Sequence, residues 1–120
     1  MKYILIADDD ALNQDIFTEL LEEHYELQMV EDGKACIESI EKRKPDLILL
    51  DLSMPIIDGL AVCRHIRASD NLNDIPVIMV TGHASEDIRV KSLEAGATEF
   101  YSKPFDITIF RNMVDEILAR

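Results

Sequence analysis

Acidic, hydroxyl and basic residues follow four short segments of this chain, three of which are apolar runs. They are Asp8, Asp9 and Asp10 after Tyr3–Ala7, Asp51 after Leu47–Leu50, Thr81 after Val77–Val80, and Lys103 after Glu99–Ser102. Crowded carboxylates raise one another's pKa unless a cation neutralises them. Hard carboxylate oxygens suit Mg²⁺, and a lysine and a hydroxyl suit phosphate oxygens. The sequence therefore predicts a magnesium and phosphate site at which the Asp51 carboxylate attacks phosphorus.

The apolar runs have the length of strands, and near-continuous apolar character is typical of parallel strands covered on both faces. Leu27 and Met29 alternate with Gln28, and Glu99–Ser102 is half polar, so both segments are expected to be edge strands. Strict alternation with amphipathic segments predicts an α/β fold. It is a doubly wound five-stranded parallel sheet, order 2-1-3-4-5, with helices on both faces. Such sheets bind ligands at the carboxyl ends of their strands, near the switch between the first and third.

The helical segments are recognised by apolar residues at four-residue spacing, and no glycine or proline interrupts them. We expect helices over about residues 11–23, 34–43, 58–68 and 85–94, and a last helix capped by Asp106. Leu12, Ile16 and Leu20 are expected on the buried face of the first helix. The fourth helix begins after a capping-type Ser85 and has few apolar residues, so it should be weakly anchored.

Composition limits the possible partners. Asp and Glu total 24 against 12 Lys and Arg, a net charge of −12, which disfavours direct contact with nucleic acid or anionic membranes. Cys36 and Cys63 lack metal-ligand spacing and are expected to be reduced thiols. No apolar run approaches a membrane span, and the N-terminus has no signal-peptide pattern. We expect a cytoplasmic protein with one domain over residues 1–120 and a natural N-terminus at Met1.

Each candidate residue also has a simpler explanation when it is taken alone. An acid after a strand is commonly a solvated turn or a helix cap, and Asp10 is expected to be a cap. Thr81 could simply end its strand, and Lys103 could be an ordinary surface lysine. Chance explains the joint arrangement at one edge of the sheet much less easily.

The motifs match a known family along the whole chain. The segments are Ile6–Asp10, Pro45–Pro55, Asp58–Gly59, Pro76–Gly82, Gly96–Ala97 and Phe100–Phe105. In this order and at this spacing, the sequence resembles the receiver domain of bacterial response regulators, most like a single chemotaxis-regulator-type receiver. The resemblance implies the flavodoxin-like form of the predicted fold.

The resemblance also implies a role for each matching residue. Asp51 would be the phosphoacceptor, and Thr81 and Lys103 the two phosphate-sensing residues. Mg²⁺ would be held by Asp51, by Asp9 directly, by Asp8 mainly through water, and by the backbone carbonyl of Ser53. Phe100 stands at the aromatic switch position, often a tyrosine in the family, and here lacks the hydroxyl. Ser53 and His83 occupy variable rim positions that influence the lifetime of the phosphoryl group.

The implied partners are proteins. A sensor histidine kinase or a histidine phosphotransfer protein would supply the phosphoryl group, because no histidine of this chain is expected to be a donor. The fourth helix, last strand and last helix would then contact a downstream protein target. The chain would be a monomer or a weak phosphorylation-dependent dimer. It would not be an enzyme, although it would catalyse its own phosphorylation and dephosphorylation.

Other functions remain open at this point. A Mg²⁺-dependent phosphatase of the haloacid-dehalogenase type also forms a phosphoaspartate, but it carries an acid two residues after the nucleophile, where this chain has Ser53. A flavodoxin-like electron carrier needs a hydroxyl-rich loop where this chain has three acids. A degenerate receiver that acts only as a binding module is disfavoured by a complete set of pocket residues. The sequence leaves open whether the chain is a complete regulator or part of a larger protein.

Overall fold

Five strands alternate with five helices in the part of the chain that the computed structural model describes, residues 1–82 and 85–120. The elements are β1 Tyr3–Ala7, α1 Ala11–Leu21, β2 Glu26–Val30, α2 Gly33–Lys42, β3 Leu47–Asp51, α3 Gly59–Ala68, β4 Val77–Thr81, α4 Glu86–Glu94, β5 Glu99–Ser102 and α5 Ile107–Ala119. The predicted alternation is confirmed, and the boundaries differ from the predicted ones by one or two residues.

The five strands form one parallel sheet in the order β2-β1-β3-β4-β5. This order is the predicted one, with β2 and β5 at the edges. All residues of β1, β3 and β4 are buried, as expected for strands covered on both faces. Parallel strands need a crossover connection, and α1 to α4 supply the four crossovers, whereas α5 follows the last strand.

The helices divide between the two faces of the sheet. Side chains of α1 and α5 pack on one face, where Phe17, Leu21 and Phe110 meet Ile4 and other inward-facing strand residues. Side chains of α2 and α3 pack on the opposite face. None of the described helices is long and apolar enough to cross a membrane.

Each helix begins at a side chain that accepts a backbone N–H. The caps and their distances are Asp10 to Leu12 N (2.8 Å), Asp32 to Ala35 N (2.7 Å), Asp58 to Ala61 N (2.9 Å), Ser85 to Ile88 N (3.1 Å) and Asp106 to Ile109 N (2.9 Å). Such caps satisfy backbone donors that the helix leaves unpaired, and each contributes about 1 kcal/mol. The predicted capping by Asp10, Ser85 and Asp106 is confirmed.

Two helices differ in how firmly they are held. In α4 the one fully buried residue is Ser92, whose hydroxyl donates to the carbonyl of Ile88 at 2.8 Å, so the predicted weak anchoring is confirmed. In α1 the predicted burial of Leu12 is wrong, because its side chain is 68% exposed. Leu12 lies in the first turn of α1, whereas the buried residues Phe17, Leu20 and Leu21 lie in the second half of the helix.

The turn between α4 and β5 is held by Arg67 at the end of α3. Its guanidinium donates to the carbonyls of Gly96 at 2.8 Å and Ile75 at 2.7 Å. Gly96 has a φ of 107°, and a Cβ at this position would lie 2.5 Å from Cγ of Arg67. Both the backbone conformation and the close approach therefore require glycine here.

We predict that Gly96→Ala lowers the free energy of unfolding by at least about 1–2 kcal/mol. An alanine is strained at this positive φ, and its Cβ also displaces the side chain of Arg67. Denaturant unfolding measures the change. Gly82→Ala is the matched control, because a Cβ there would be 3.9 Å from the nearest atom. The control should change stability by less than about 0.5 kcal/mol. Equal effects of the two substitutions would contradict this account of the turn.

Candidate functional site

The register of the sheet places the candidate residues side by side. Ala7 pairs with Leu50, so the next residues along the two strands, Asp8 and Asp51, are neighbours at the carboxyl edge. Asp51 in turn pairs with Val80, and Thr81 follows directly. Lys103 directly follows β5, and its backbone N–H donates to the carbonyl of Thr81 at 2.8 Å.

Three carboxylates converge at this edge. One oxygen from each of Asp8, Asp9 and Asp51 lies within 4.8 Å of the others. Asp8 is 1% exposed and Asp51 is 8% exposed, whereas Asp9 is open to solvent. Such a set offers hard oxygen ligands and is open to solvent at Asp9, which fits the coordination that Mg²⁺ prefers.

Asp8 is held from several directions. Its Oδ1 accepts the backbone N–H of Asp10 at 2.9 Å, and its Oδ2 lies 3.5 Å from Nζ of Lys103. Gln14, in the second turn of α1, donates its side-chain amide to the Asp8 carbonyl at 2.7 Å. Gln14 was not predicted from the sequence, because a lone glutamine on a helix gives no signal of its own. The contact is seen only in the structure, where α1 lies beside the end of β1.

The backbone around Asp51 is held by the start of α3. A Cβ on Gly59 would lie 2.4 Å from the Asp51 carbonyl oxygen, so α3 can approach this closely only through a glycine. The N–H of Gly59 also donates to the Leu52 carbonyl at 2.9 Å. Ser53 is exposed, and its N–H lies 3.4 Å from Oδ1 of Asp51.

The pKa of the Asp51 carboxyl is raised to about 6, first by burial and second by the neighbouring charge of Asp8. The ammonium of Lys103 and the N–H of Ser53 act in the opposite direction, and Asp9 adds a smaller increase. An ionised Asp51 is therefore unfavourable in this pocket without an added positive charge.

Lys103 reaches the site from the loop that follows β5. Its side chain is 18% exposed, and the Lys103–Pro104 peptide bond is cis. Thr81 is buried at the end of β4. Phe100 is half-buried and packs on the α2 and α3 face of the sheet, whereas His83 lies outside the described residues.

The structure brings Asp8, Asp9, Asp51 and Lys103 into one group, with Thr81 at the end of the adjoining strand. Asp10 points to the helix instead and caps α1, as predicted. The metal-binding role of the Ser53 carbonyl stays a prediction, since the contact that the structure gives to Ser53 is made by its N–H.

This arrangement agrees with the comparison to known families. The family model described as the response regulator receiver domain matches residues 4–115. The chain therefore belongs to the response regulator receiver domain family.

Individual relatives support the same family. The chain is 35% identical over 118 residues to the response regulator MprA of Mycolicibacterium vanbaalenii, an alignment that covers 98% of this chain and 47% of that protein. The chain thus spans about half the length of the curated relatives it matches.

Two solved structures show the same fold. One is the signal receiver domain of a signal transduction histidine kinase from Syntrophus aciditrophicus, with a TM-score of 0.92, 32% identity, and coverage of 99% of this chain and 91% of that chain. The other is the receiver domain of a sensor histidine kinase from Pseudomonas aeruginosa PAO1, with a TM-score of 0.91, 29% identity, and coverage of 99% and 98%. The second was solved with a magnesium ion coordinated in its active site cleft.

We predict that Asp51→Asn stabilises the metal-free protein in a pH-dependent way. The pKa of Asp51 is raised to about 6, so its ionised form opposes folding fully above that pH, and the penalty fades as pH falls toward the unfolded value of about 4. Removing the charge should add roughly 2–3 kcal/mol near neutral pH and almost nothing near pH ~4. Unfolding curves in chelator across this range measure it. A gain that does not depend on pH, or one shared by the exposed control Asp15→Asn, would contradict it.

We also predict that Asp9→Asn removes most of the stabilisation by Mg²⁺. A ligand that binds only the folded chain adds about 2.7 kcal/mol at a hundredfold excess over its dissociation constant. Asp9→Asn should also raise the melting temperature without metal, because it relieves repulsion. Asp10→Asn is the matched control and should keep the Mg²⁺ response, since Asp10 caps α1. Thermal melts of both variants with and without Mg²⁺ measure the response. Loss of the response in Asp10→Asn but not in Asp9→Asn would refute the assignment of Asp9 as a metal ligand.

Proposed function

We propose that this receiver domain is a phosphoacceptor switch in which Asp51 takes a phosphoryl group from a partner phosphohistidine in a Mg²⁺-dependent reaction. The observation that carries the proposal is the buried Asp51 carboxylate, set beside two further carboxylates within 4.8 Å and near a lysine. A structural role explains such crowding poorly, because it raises the pKa of Asp51 and destabilises the metal-free fold.

The transfer is a substitution at phosphorus. An Oδ atom of Asp51 forms the new O–P bond, the N–P bond of the donor breaks, and its electron pair returns to the imidazole nitrogen, which takes up a proton. Asp8, Asp9, Asp51 and the Ser53 carbonyl would hold the magnesium. When bound, the metal neutralises the crowded carboxylates and offsets charge on the phosphoryl oxygens. The pocket thereby keeps Asp51 ionised and able to attack at neutral pH.

Lys103 and Thr81 would contact the transferred group. The Nζ of Lys103 is near Asp8, and it can turn to a phosphoryl oxygen on Asp51 with a small change of side-chain rotamer. The hydroxyl of Thr81 can donate to another phosphoryl oxygen. Thr81 ends β4, and Lys103 follows β5 in the loop that leads to α5.

The output would be a change in the surface formed by α4, β5 and α5. Movement of Thr81 toward the phosphoryl group would open space into which Phe100 turns. The weakly anchored α4 follows Thr81 along the chain, and its rearrangement breaks few buried contacts. A downstream protein target that distinguishes the two forms of this surface would read the signal.

The alternatives are less well supported. A phosphatase of the haloacid-dehalogenase type needs a general acid two residues after the nucleophile, and Ser53 cannot supply one. A degenerate receiver would not need to keep three carboxylates and Lys103 together at an energetic cost. We therefore propose self-catalysed phosphorylation and dephosphorylation of Asp51, with no activity on other substrates.

The partners follow from the same chemistry. A sensor histidine kinase or a histidine phosphotransfer protein would donate the phosphoryl group. We propose that the chain works in the cytoplasm and is a monomer or a weak phosphorylation-dependent dimer. Its strongly acidic surface makes direct contact with nucleic acid unfavourable.

We predict that acetyl phosphate with Mg²⁺ adds one phosphoryl group to this protein, on Asp51. Intact mass spectrometry detects the adduct, and Asp51→Asn should abolish it. Asp46→Asn is the matched control, because Asp46 is an exposed acid at the opposite edge of the sheet. Hydrogen exchange on the labelled protein should rise in α4 and remain unchanged in β1 and β3. An adduct that survives Asp51→Asn, or none on the wild type, would overturn the proposal.

A further inference from the structure

Tyr101 occupies a position in β5 that the proposed reaction does not use. It is buried and faces α1 and α5, on the opposite side of the strand from Phe100. The Oη of Tyr101 accepts the backbone N–H of Asp106 at 2.6 Å. This short bond spans the loop that carries Lys103 into the site.

The loop after β5 is fixed at both of its ends. At the start, the backbone N–H of Lys103 donates to the carbonyl of Thr81 at 2.8 Å. At the end, the N–H of Asp106 is held by Tyr101, just before α5 begins. Pro104 and Asp106 are exposed, so the loop has little burial of its own to keep it in place.

The ring of Tyr101 adds a second contact to the same loop. It stacks on Phe105, with centroids 5.6 Å apart and the planes 15° from parallel. Phe105 also meets Phe17 and Phe110 edge-on, at 5.1 Å and 5.2 Å. The aromatic contacts bury the loop side chain, and the hydroxyl fixes the backbone beside it.

We propose that Tyr101 is a positioning residue for Lys103: its hydroxyl closes the loop from β5 to α5 and so holds the ammonium of Lys103 at the carboxylates. The inference rests on the proposed function for its consequence, since Lys103 there contacts the incoming phosphoryl group. Tyr101 itself does not touch the reacting atoms.

The hydroxyl can be separated from the ring by substitution. Tyr101→Phe keeps the stack on Phe105 and removes the acceptor for the Asp106 N–H. It also removes the longer bonds that the hydroxyl donates to the carbonyls of Pro104 at 3.5 Å and Asp106 at 3.4 Å, both in the same loop. That N–H can then bond to water, which frees the loop. The matched control is Tyr25→Phe, which removes the bond from the Tyr25 hydroxyl to Asp115 on the same helix, α5, away from the loop.

The first test follows Lys103 directly and does not require phosphorylation. Reductive methylation with ¹³C-formaldehyde labels the lysines, and the Lys103 signal is assigned by its loss in Lys103→Arg. In Tyr101→Phe this signal should move toward those of the exposed lysines, and in Tyr25→Phe it should stay in place. An unchanged Lys103 signal in Tyr101→Phe would overturn the proposal.

The second test measures the rate of labelling by acetyl phosphate with Mg²⁺ in a double-mutant cycle. Tyr101→Phe should slow labelling about three- to tenfold, because a small displacement of a contact group has a large kinetic effect. It should have no further effect in a Lys103→Ala background. An equal slowing in both backgrounds would show that Tyr101 acts on the fold and not through Lys103. A wild type that takes no label would refute the proposed function, while the lysine signal would still decide the role of Tyr101.

Discussion

Repulsion among the carboxylates of Asp8, Asp9 and Asp51 is the constraint around which the site is built. Two of the three are buried, and burial with a nearby like charge raises the pKa of Asp51 to about 6. The fold tolerates this because β1 and β3 lie at the centre of the sheet, where both faces are covered. If the protein neutralised these acids by itself, binding a cation or a phosphoryl group would relieve little repulsion and would therefore change the stability of the fold little.

Much of the fold could be predicted from the sequence because its two periodicities are clear. The apolar runs Leu47–Leu50 and Val77–Val80 can only be buried strands, and their strict alternation with helices fixes a parallel sheet. The strand ends then place the acids, Thr81 and Lys103 at one edge. Three of the five helix caps were predicted, since Asp10, Ser85 and Asp106 carry the chemistry that caps need, whereas the caps Asp32 and Asp58 were not.

The remaining features depend on contacts between distant parts of the chain. The spacing of Leu12 fits a buried helical face, yet this side chain in the first turn of α1 is exposed, and the buried residues lie in the second half of the helix. Gln14 and Tyr101 each bind a backbone group near the site, and neither residue type signals this in the sequence. Periodicity reports which face of an element is covered, but not where that element ends relative to its neighbours.

In the proposed function, the two faces of β5 would have different roles. Phe100 points to the side of the sheet that includes the end of α4, whose buried contacts are few, so this side can rearrange at low cost. Tyr101 points to the other side, where four aromatic rings and a 2.6 Å hydrogen bond hold the loop of Lys103. The proposed switch would need both properties, because Lys103 would have to stay at the phosphoryl group while the surface that reports it moves. Adjacent residues in one strand supply them, since successive side chains point to opposite faces.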